Sequence, residues 1–350
     1  MVIVRFEDVV KRININVDRH NTDRLYYVGG EHIESEEFMI HDKGLIKGST
    51  IGYKFHYGFN PGHILFMSRN PHLRKASMVD FEGICSDSTY VVETKDESIL
   101  LQDYLLIEMQ SDRFWNWMEE HKTGGVNYLI NYRTLNQYKF ELPSIEEQKV
   151  LADKLWVAYR LKESYKRLLA ATDEMVKSRF IEMFKDVRES KSLCAICRPK
   201  QWPTIPTKDF TDDGYLVYGA NGIIGHYSQY NHEHSTILMA CRGASCGAIN
   251  ISQPKSYITG NAMCMDDIDD NVLFDYLAYF LSNYDYKTII TGGAQPQITV
   301  TNLQKVMVPI APKSQQEAFG VIVKQADKSK FELRKSIDAI DAVIKSLINN

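Results

Sequence analysis

Leu151, Leu155, Ala158, Lys162, Tyr165, Leu169, Thr172, Val176 and Arg179 are spaced alternately four and three residues apart. So are Phe319, Val323, Ala326, Lys330, Leu333, Ile337, Ile340, Ile344 and Leu347. Steps of four and three are a heptad seam, the pattern of a helix that buries one stripe along its length. Every position in the second series lies 168 residues after its counterpart in the first, and lysine interrupts both at the same place. Neither stretch contains proline, and Gly320 is the only glycine. A helix of about 37–39 residues is roughly 55–58 Å long at 1.5 Å per residue. That is too long to bury its seam on one small domain, so the simplest partner for each helix is the other. Lysine in the seam costs stability but helps to fix register.

The repeat extends beyond the helices. Thr123-Gly124-Gly125 and Thr291-Gly292-Gly293 keep the 168-residue offset, as do Ile130 with Ile298 and Leu135 with Leu303. Each half then reaches an apolar strand that ends at proline, Tyr138 to Pro143 in the first and Val306 to Pro312 in the second. Proline suits a helix start, where its missing N–H would have no partner anyway. The predicted order is a globular unit (1–143), a long helix and linker (144–189), a second unit (190–312) and a second helix (313–350).

Within the units, Ile64–Met67, Thr89–Glu93, Thr236–Ala240 and Tyr257–Thr259 read as strands. Leu100–His121 and Leu273–Asn283 read as helices. Strands come first and a helix late in both, so the expectation is one α+β fold used twice.

Of 350 residues, 44% are hydrophobic and 25% charged, as in an ordinary soluble protein. No run is apolar for the ~20 residues a membrane helix needs. Met1 to Lys11 alternates apolar and charged residues, unlike an export signal, so a cytoplasmic location is expected. Net charge is -4, and no segment is strongly basic. An autonomous binder held by phosphate contacts is therefore disfavoured, and partners would have to supply part of the neutralisation. Cys194-x-x-Cys197 is half of a zinc motif, with His232 and His234 further on. Nothing completes it, so free thiols and no metal are expected.

Two stretches are candidates for contact with nucleic acid. In the first unit Lys43, Lys47 and Lys54 interleave with Tyr53, Phe55, His56 and Tyr57, and Arg69, Arg74 and Lys75 follow. Basic residues among aromatics suit a DNA-facing loop; lysines also protect solvated sheet edges. In the second unit, glycine-rich stretches carry Tyr218, Asn221, Tyr227, Arg242 and Ser245, and Gln295 and Gln297 follow. Short polar side chains on such loops can approach base edges, although composition by itself reads them as turns. Neither a Gly-x-Gly-x-x-Gly nor a P-loop occurs. Asn70-Pro71-His72-Leu73 is the nearest approach to an Asn-Pro-Pro-aromatic methyltransferase motif. No catalytic residue is expected.

The second unit resembles the target recognition domain of type I restriction–modification specificity (S) subunits. The resemblance is carried by Gln201-Trp202-Pro203-Thr204-Ile205, Val217 to Gly225, Cys241-Arg242-Gly243-Ala244, Gly260-Asn261-Ala262 and Thr291 to Ile298. The Pro-x-x-x-Glu-Gln run from Pro143 to Gln148, with its looser echo Pro312 to Glu317, belongs to it too. It covers the whole chain in plan and residues 200–317 in detail. It implies that two recognition domains read the halves of a split target in double-stranded DNA. It implies that the two helices pair as an antiparallel coiled coil, act as a spacer and dock two modification (M) subunits. Those subunits would bind S-adenosylmethionine and methylate adenine; restriction (R) subunits would join to cleave. This chain would be non-catalytic. In an antiparallel pair, Lys162 and Lys330 fall away from each other. The rival reading is a coiled-coil scaffold without direct DNA readout, with a fused modification enzyme or an independent nuclease less favoured.

Overall fold

The computed structural model describes residues 2–292 and 295–349. Gly293 and Ala294 of the second Thr-Gly-Gly segment lie outside the described residues, as do Met1 and Asn350. The chain forms two compact units, Met1–Arg167 with Arg334–Asn350, and Leu168–Leu333. The division falls inside the long helices, Ile145–Phe184 and Lys313–Asn349, so both helices contribute to both units.

The first unit is built on a four-stranded antiparallel sheet. Its strand order is Val10–Ile13, Thr89–Thr94, Ile64–Met67, Ala76–Met78. A second sheet of five short strands runs Ile15–Asn16, Phe55–Phe59, Gly83–Ser86, Tyr26–Val28, Gly44–Leu45. Val2–Arg5 pairs with Lys139–Leu142, so the ends of the globular part meet where the long helix begins. The second unit repeats the plan. Its four-stranded sheet is Arg198–Lys200, Ala262–Asp266, Ile237–Ala240, Ile249–Ile251. Ser190–Ser192 pairs with Met307–Pro309. Its second sheet has three strands, Gly222–Tyr227, Tyr215–Gly219 and Tyr257–Ile258. In both units the two central strands are almost wholly buried, as continuous apolar runs such as Ile64-Leu65-Phe66 and Ile237-Leu238-Met239 require.

One helix was expected over Leu100–His121, and two are found: Gln102–Gln110 and Asp112–His121. Ser111 between them is extended, and its hydroxyl accepts from the Phe114 N–H, capping the second helix. A serine that satisfies an orphan N–H competes with helix continuation. Apolar periodicity runs through the break and hides it.

The long helices pack together, antiparallel. In the first unit Lys162 Nζ lies 2.6 Å from Asp341 Oδ1; in the second, Lys330 Nζ lies 3.0 Å from Asp173 Oδ1. The 168-residue offset turns one ion pair into the other, so these are one contact used twice. The seam lysines therefore do not face each other; each meets an aspartate of the opposite helix. Leu155 and Ile344 are buried in the first unit's core, with Leu151, Ala158, Ile340 and Leu347 packed on it. Phe319, Ala326 and Val176 are buried in the second, with Val323 beside them. Lys162, Tyr165, Leu169, Lys330, Leu333 and Ile337 are half-buried. The seam drawn through Arg179 fails at that residue, which is exposed, while Phe180 and Phe184 turn inward. The counterpart of Arg179 at the 168-residue offset, Leu347, stays packed on the first unit's core, so the departure belongs to the first helix alone.

Each helix is fastened to its domain by one glutamine. Gln148 is fully buried; its carbonyl accepts from Leu101 N–H at 2.9 Å, and its amide donates to Ile99 O (2.9 Å) and Pro143 O (3.0 Å). Gln316, also fully buried, accepts from Leu273 N–H (2.8 Å) and donates to Asn271 O (2.9 Å) and Ala311 O (2.8 Å). Truncation strands three backbone groups. Gln316→Ala should lower stability by about 2 kcal/mol, read as a shift in the urea unfolding midpoint. An unchanged midpoint would mean that water replaces the amide at no cost.

Candidate nucleic-acid interface

The same loop pair occurs in both units. After the central strand Ile64–Met67, the chain passes through Ser68, Arg69 and Asn70 beside residues 128–130. Ile130 N–H donates to Ser68 O (2.8 Å), Asn70 N–H donates to Tyr128 O (3.0 Å), and Arg69 bridges Leu129. After the central strand Ile237–Ala240, Ile298 N–H donates to Cys241 O (3.0 Å), Gly243 N–H donates to Pro296 O (2.9 Å), and Arg242 bridges Gln297. Leu129 and Gln297 are each closed on the threonine of Thr-Gly-Gly by two backbone hydrogen bonds of 2.7–2.9 Å.

That closure explains the repeated glycine. Gly124 has φ +104° and Gly292 φ +90°, in the left-handed region. A Cβ would stand 2.7 Å from Asn127 O at the first and 2.3 Å from Gln295 O at the second. Only glycine fits either turn.

Arg69 and Arg242 are exposed. Among the described residues neither guanidinium has a hydrogen-bond or ion-pair partner. The other basic candidates differ. Arg74 is held by Asp112 (2.6 Å) and Glu36 (2.9 Å), and Lys75 donates to Gly30 O at 2.6 Å. Both are bound up inside the first unit. Lys54 lies 3.7 Å from Asp87 Oδ2. Lys43 Nζ sits over the rings of Phe81 (4.0 Å) and Tyr26 (4.3 Å). Tyr53 is 76% exposed. Lys47 lines an open cavity of about 680 Å³ with Arg19, His20 and Arg24; Arg19 and His20 were not singled out by sequence.

In the second unit Tyr218 is a core residue, 5% exposed, and its hydroxyl accepts from Gln253 N–H at 3.2 Å. It was expected on a reading loop; its place on the strand Tyr215–Gly219 turns the ring inward instead. Asn221 is exposed at the tip of the hairpin that strand forms with Gly222–Tyr227, beside exposed Ile223 and Ile224. Tyr227 packs edge-on against Tyr257. Ser245 is half-buried in the loop after Arg242, Gln295 is exposed and Gln297 is half-buried. The structure thus brings Arg242 and Gln297 together by pairing, and leaves Asn221 on a separate hairpin.

The thiols of the Cys194-x-x-Cys197 motif face backbone carbonyls: Cys197 Sγ lies 3.3 Å from Leu193 O, and Cys194 Sγ 3.7 Å from Val300 O. All six thiols are free, and burial pushes the Cys197 thiol up to about 12. His232 belongs elsewhere. Its Nε2 lies 3.1 Å from Asp266 Oδ1 and its Nδ1 2.7 Å from Asn231 Oδ1, while Trp202 Nε1 donates to Asp266 Oδ2 at 3.0 Å. Burial pushes the Asp266 carboxyl up, but the hydrogen bonds from His232 and Trp202 outweigh it and hold the group below its usual 3.8. A lowered folded-state value stabilises the fold above about pH 4 and is lost as pH falls through it. The stability gap between the native chain and Asp266→Asn should therefore narrow between pH 5 and pH 3, on the order of those carboxylate values, in urea titrations. A constant gap would refute this linkage.

Two copies of an α+β module, each ending in a long helix that pairs with the other, define a duplicated domain–helix protein. The chain belongs to the family of the type I restriction modification DNA specificity domain, whose profile matches residues 9–170 and again 185–340. It is 24% identical over 136 residues to the type I restriction enzyme EcoprrI specificity subunit of Escherichia coli. That match covers 39% of this chain and about a third (33%) of the relative's length. The fold is similar to that of the S subunit of a type I restriction-modification system from M. genitalium, with TM-score 0.63 and 14% identity, over 99% of this chain and 94% of that one. A chain from a type I R-M system solved for its complex assembly and conformational transition gives TM-score 0.59 at 17% identity, over 99% and 96% of the two chains. Among the described residues no helix is long and apolar enough to cross a membrane.

Proposed function

We propose that this chain is the sequence-reading subunit of a type I restriction–modification system. Each recognition domain reads one half of a split target in double-stranded DNA. The paired helices set the gap between the halves, because half-site spacing is a geometric property of the protein. They also dock two modification subunits and, through the complex, restriction subunits. S-adenosylmethionine belongs to the modification subunits; adenine must be flipped out of the stack into an active site to be methylated. This chain supplies readout and no catalytic group.

The observation that carries this reading is the duplicated loop pair, which presents at the same point of each unit one arginine without a partner among the described residues, within a family of DNA specificity domains. The net charge of -4 fits a subunit whose phosphate contacts are largely made by its partners. The test is co-expression with a type I modification subunit from the same host, followed by mapping of methylated adenines in host DNA. A split motif with a fixed unread gap is expected. A stable complex that methylates nothing, or methylates without a split motif, would favour the scaffold reading instead.

A further inference from the structure

Arg69 and Arg242 stand 173 residues apart, not 168, so the register of the helices does not align them. The backbone does. Each is the second residue after a buried central strand, Ile64–Met67 or Ile237–Ala240. Each bridges the residue six positions after the threonine of Thr-Gly-Gly, Leu129 or Gln297. Each is flanked by two backbone hydrogen bonds to that same segment. The neighbouring carbonyls and amides are thus satisfied within the protein, and what the loop offers outward is the side chain.

We propose that Arg69 and Arg242 are equivalent specificity-determining residues, each reading a guanine at the corresponding position of its own half-site; this rests on the DNA-reading function proposed above. An arginine presents two parallel N–H donors that fit the O6 and N7 acceptors of guanine in the major groove. Several other arginines are engaged by neighbours: Arg74 by Asp112 and Glu36, Arg113 by Glu108, Arg198 by Asp267 in a surface ion pair, and Arg12 among the rings of Tyr57, Tyr90 and Tyr132. Arg69 and Arg242 are exposed without such a partner among the described residues. They also project from backbone pinned on both sides, and a fixed origin is what a base contact needs and a phosphate contact does not. The bridged neighbours differ. Gln297 can pair with adenine N6 and N7, whereas Leu129 offers only apolar contact. The two half-sites therefore share the guanine and diverge beside it.

The test uses the full chain in complex with its modification subunit. Wild-type methylome mapping first fixes the two half-sites. Binding is then measured on duplexes in which each guanine of a half-site is in turn kept or replaced by adenine, for wild type and for Arg69→Lys, Arg69→Ala, Arg242→Lys and Arg242→Ala. Wild type is expected to favour guanine by about tenfold to a hundredfold. The Arg242 variants should bring that ratio near one in one half-site alone, and the Arg69 variants in the other alone. If the wild-type motif lacks a guanine in either half, the proposal fails while the DNA-reading function stands. It fails likewise if lysine keeps full discrimination, or if both duplexes weaken equally, which is the signature of a phosphate contact. If wild type yields no split motif, the DNA-reading function fails first. Hydrogen exchange on each variant complex separates loss of folding from loss of readout.

Discussion

Phe319→Ala is expected to lower the stability of the second unit by about 3–5 kcal/mol. Phe319 is fully buried, on the long helix Lys313–Asn349. Its ring lies 4.8 Å from Tyr279, 5.2 Å from Phe180 and 5.6 Å from Phe184, the last two on the other long helix. Tyr276, also fully buried, contacts both Phe180 and Phe184. One ring thus joins the domain helix Phe274–Ser282 to both long helices, and its removal leaves a cavity that rigid aromatic neighbours cannot collapse to fill. Hydrogen exchange should show lost protection in residues 190–333, with residues 10–94 unaffected. Phe319→Leu, which keeps most of the volume, should recover more than half of the loss. Equal protection loss in both units would mean that they unfold as one cooperative block.

The second large effect is expected at Arg113. The Glu108 side chain is 1% exposed, and it accepts from Arg113 Nε (2.9 and 3.1 Å to its two oxygens), from a terminal nitrogen of the same guanidinium and from the Tyr138 hydroxyl (2.5 Å). Burial, and then the Glu108 charge, push the Tyr138 hydroxyl well above its ordinary value, so it stays protonated and donates. Arg113→Ala leaves a buried carboxylate with one neutral donor. Breaking a fully buried pair costs about 3–5 kcal/mol, and here the cost is smaller because the Arg113 side chain is half exposed and water can reach the carboxylate; replacing both partners by apolar residues is often near neutral. Arg113→Ala should therefore destabilise more than Glu108→Leu combined with Arg113→Leu. The reverse order in urea unfolding would show that Arg113 contributes through packing and not through its charge.

Much of the fold could be read from residue spacing. The heptad series gave two helices of one length and register, and the repeat gave two units of one kind. The antiparallel pairing entered with the family resemblance, and the ion pairs Lys162–Asp341 and Lys330–Asp173 agree with it. The break at Ser111 was not legible, because a capping serine does not disturb the apolar period on either side. Nor was the turn of the seam from Arg179 to Phe180, because the equivalent position on the other helix, Leu347, keeps to the seam.

The candidate interface was less legible. Sequence nominated Arg69, Arg74 and Lys75 alike, since all are basic residues near one another. Only the fold separates them: Arg74 and Lys75 meet Asp112, Glu36 and the Gly30 carbonyl, and Arg69 meets none of these. Tyr218 looked like a loop residue because glycines follow it, but a strand buries it. Arg69 and Arg242 could not be matched by counting. The segment joining arginine to its bridged partner is 60 residues in one unit and 55 in the other, so constant-offset alignment misses the pair.

The sequence by itself determined the number of units, the two helices and their shared seam, because spacing along a chain is a local property that periodicity records directly. The tertiary structure decided which polar side chains are consumed inside the protein and which are left facing out. That choice depends on partners far away in the chain, as Gln316 shows by holding residues 271–273, and Arg242 by pairing with Gln297. Spacing carries no record of who meets whom across a sheet.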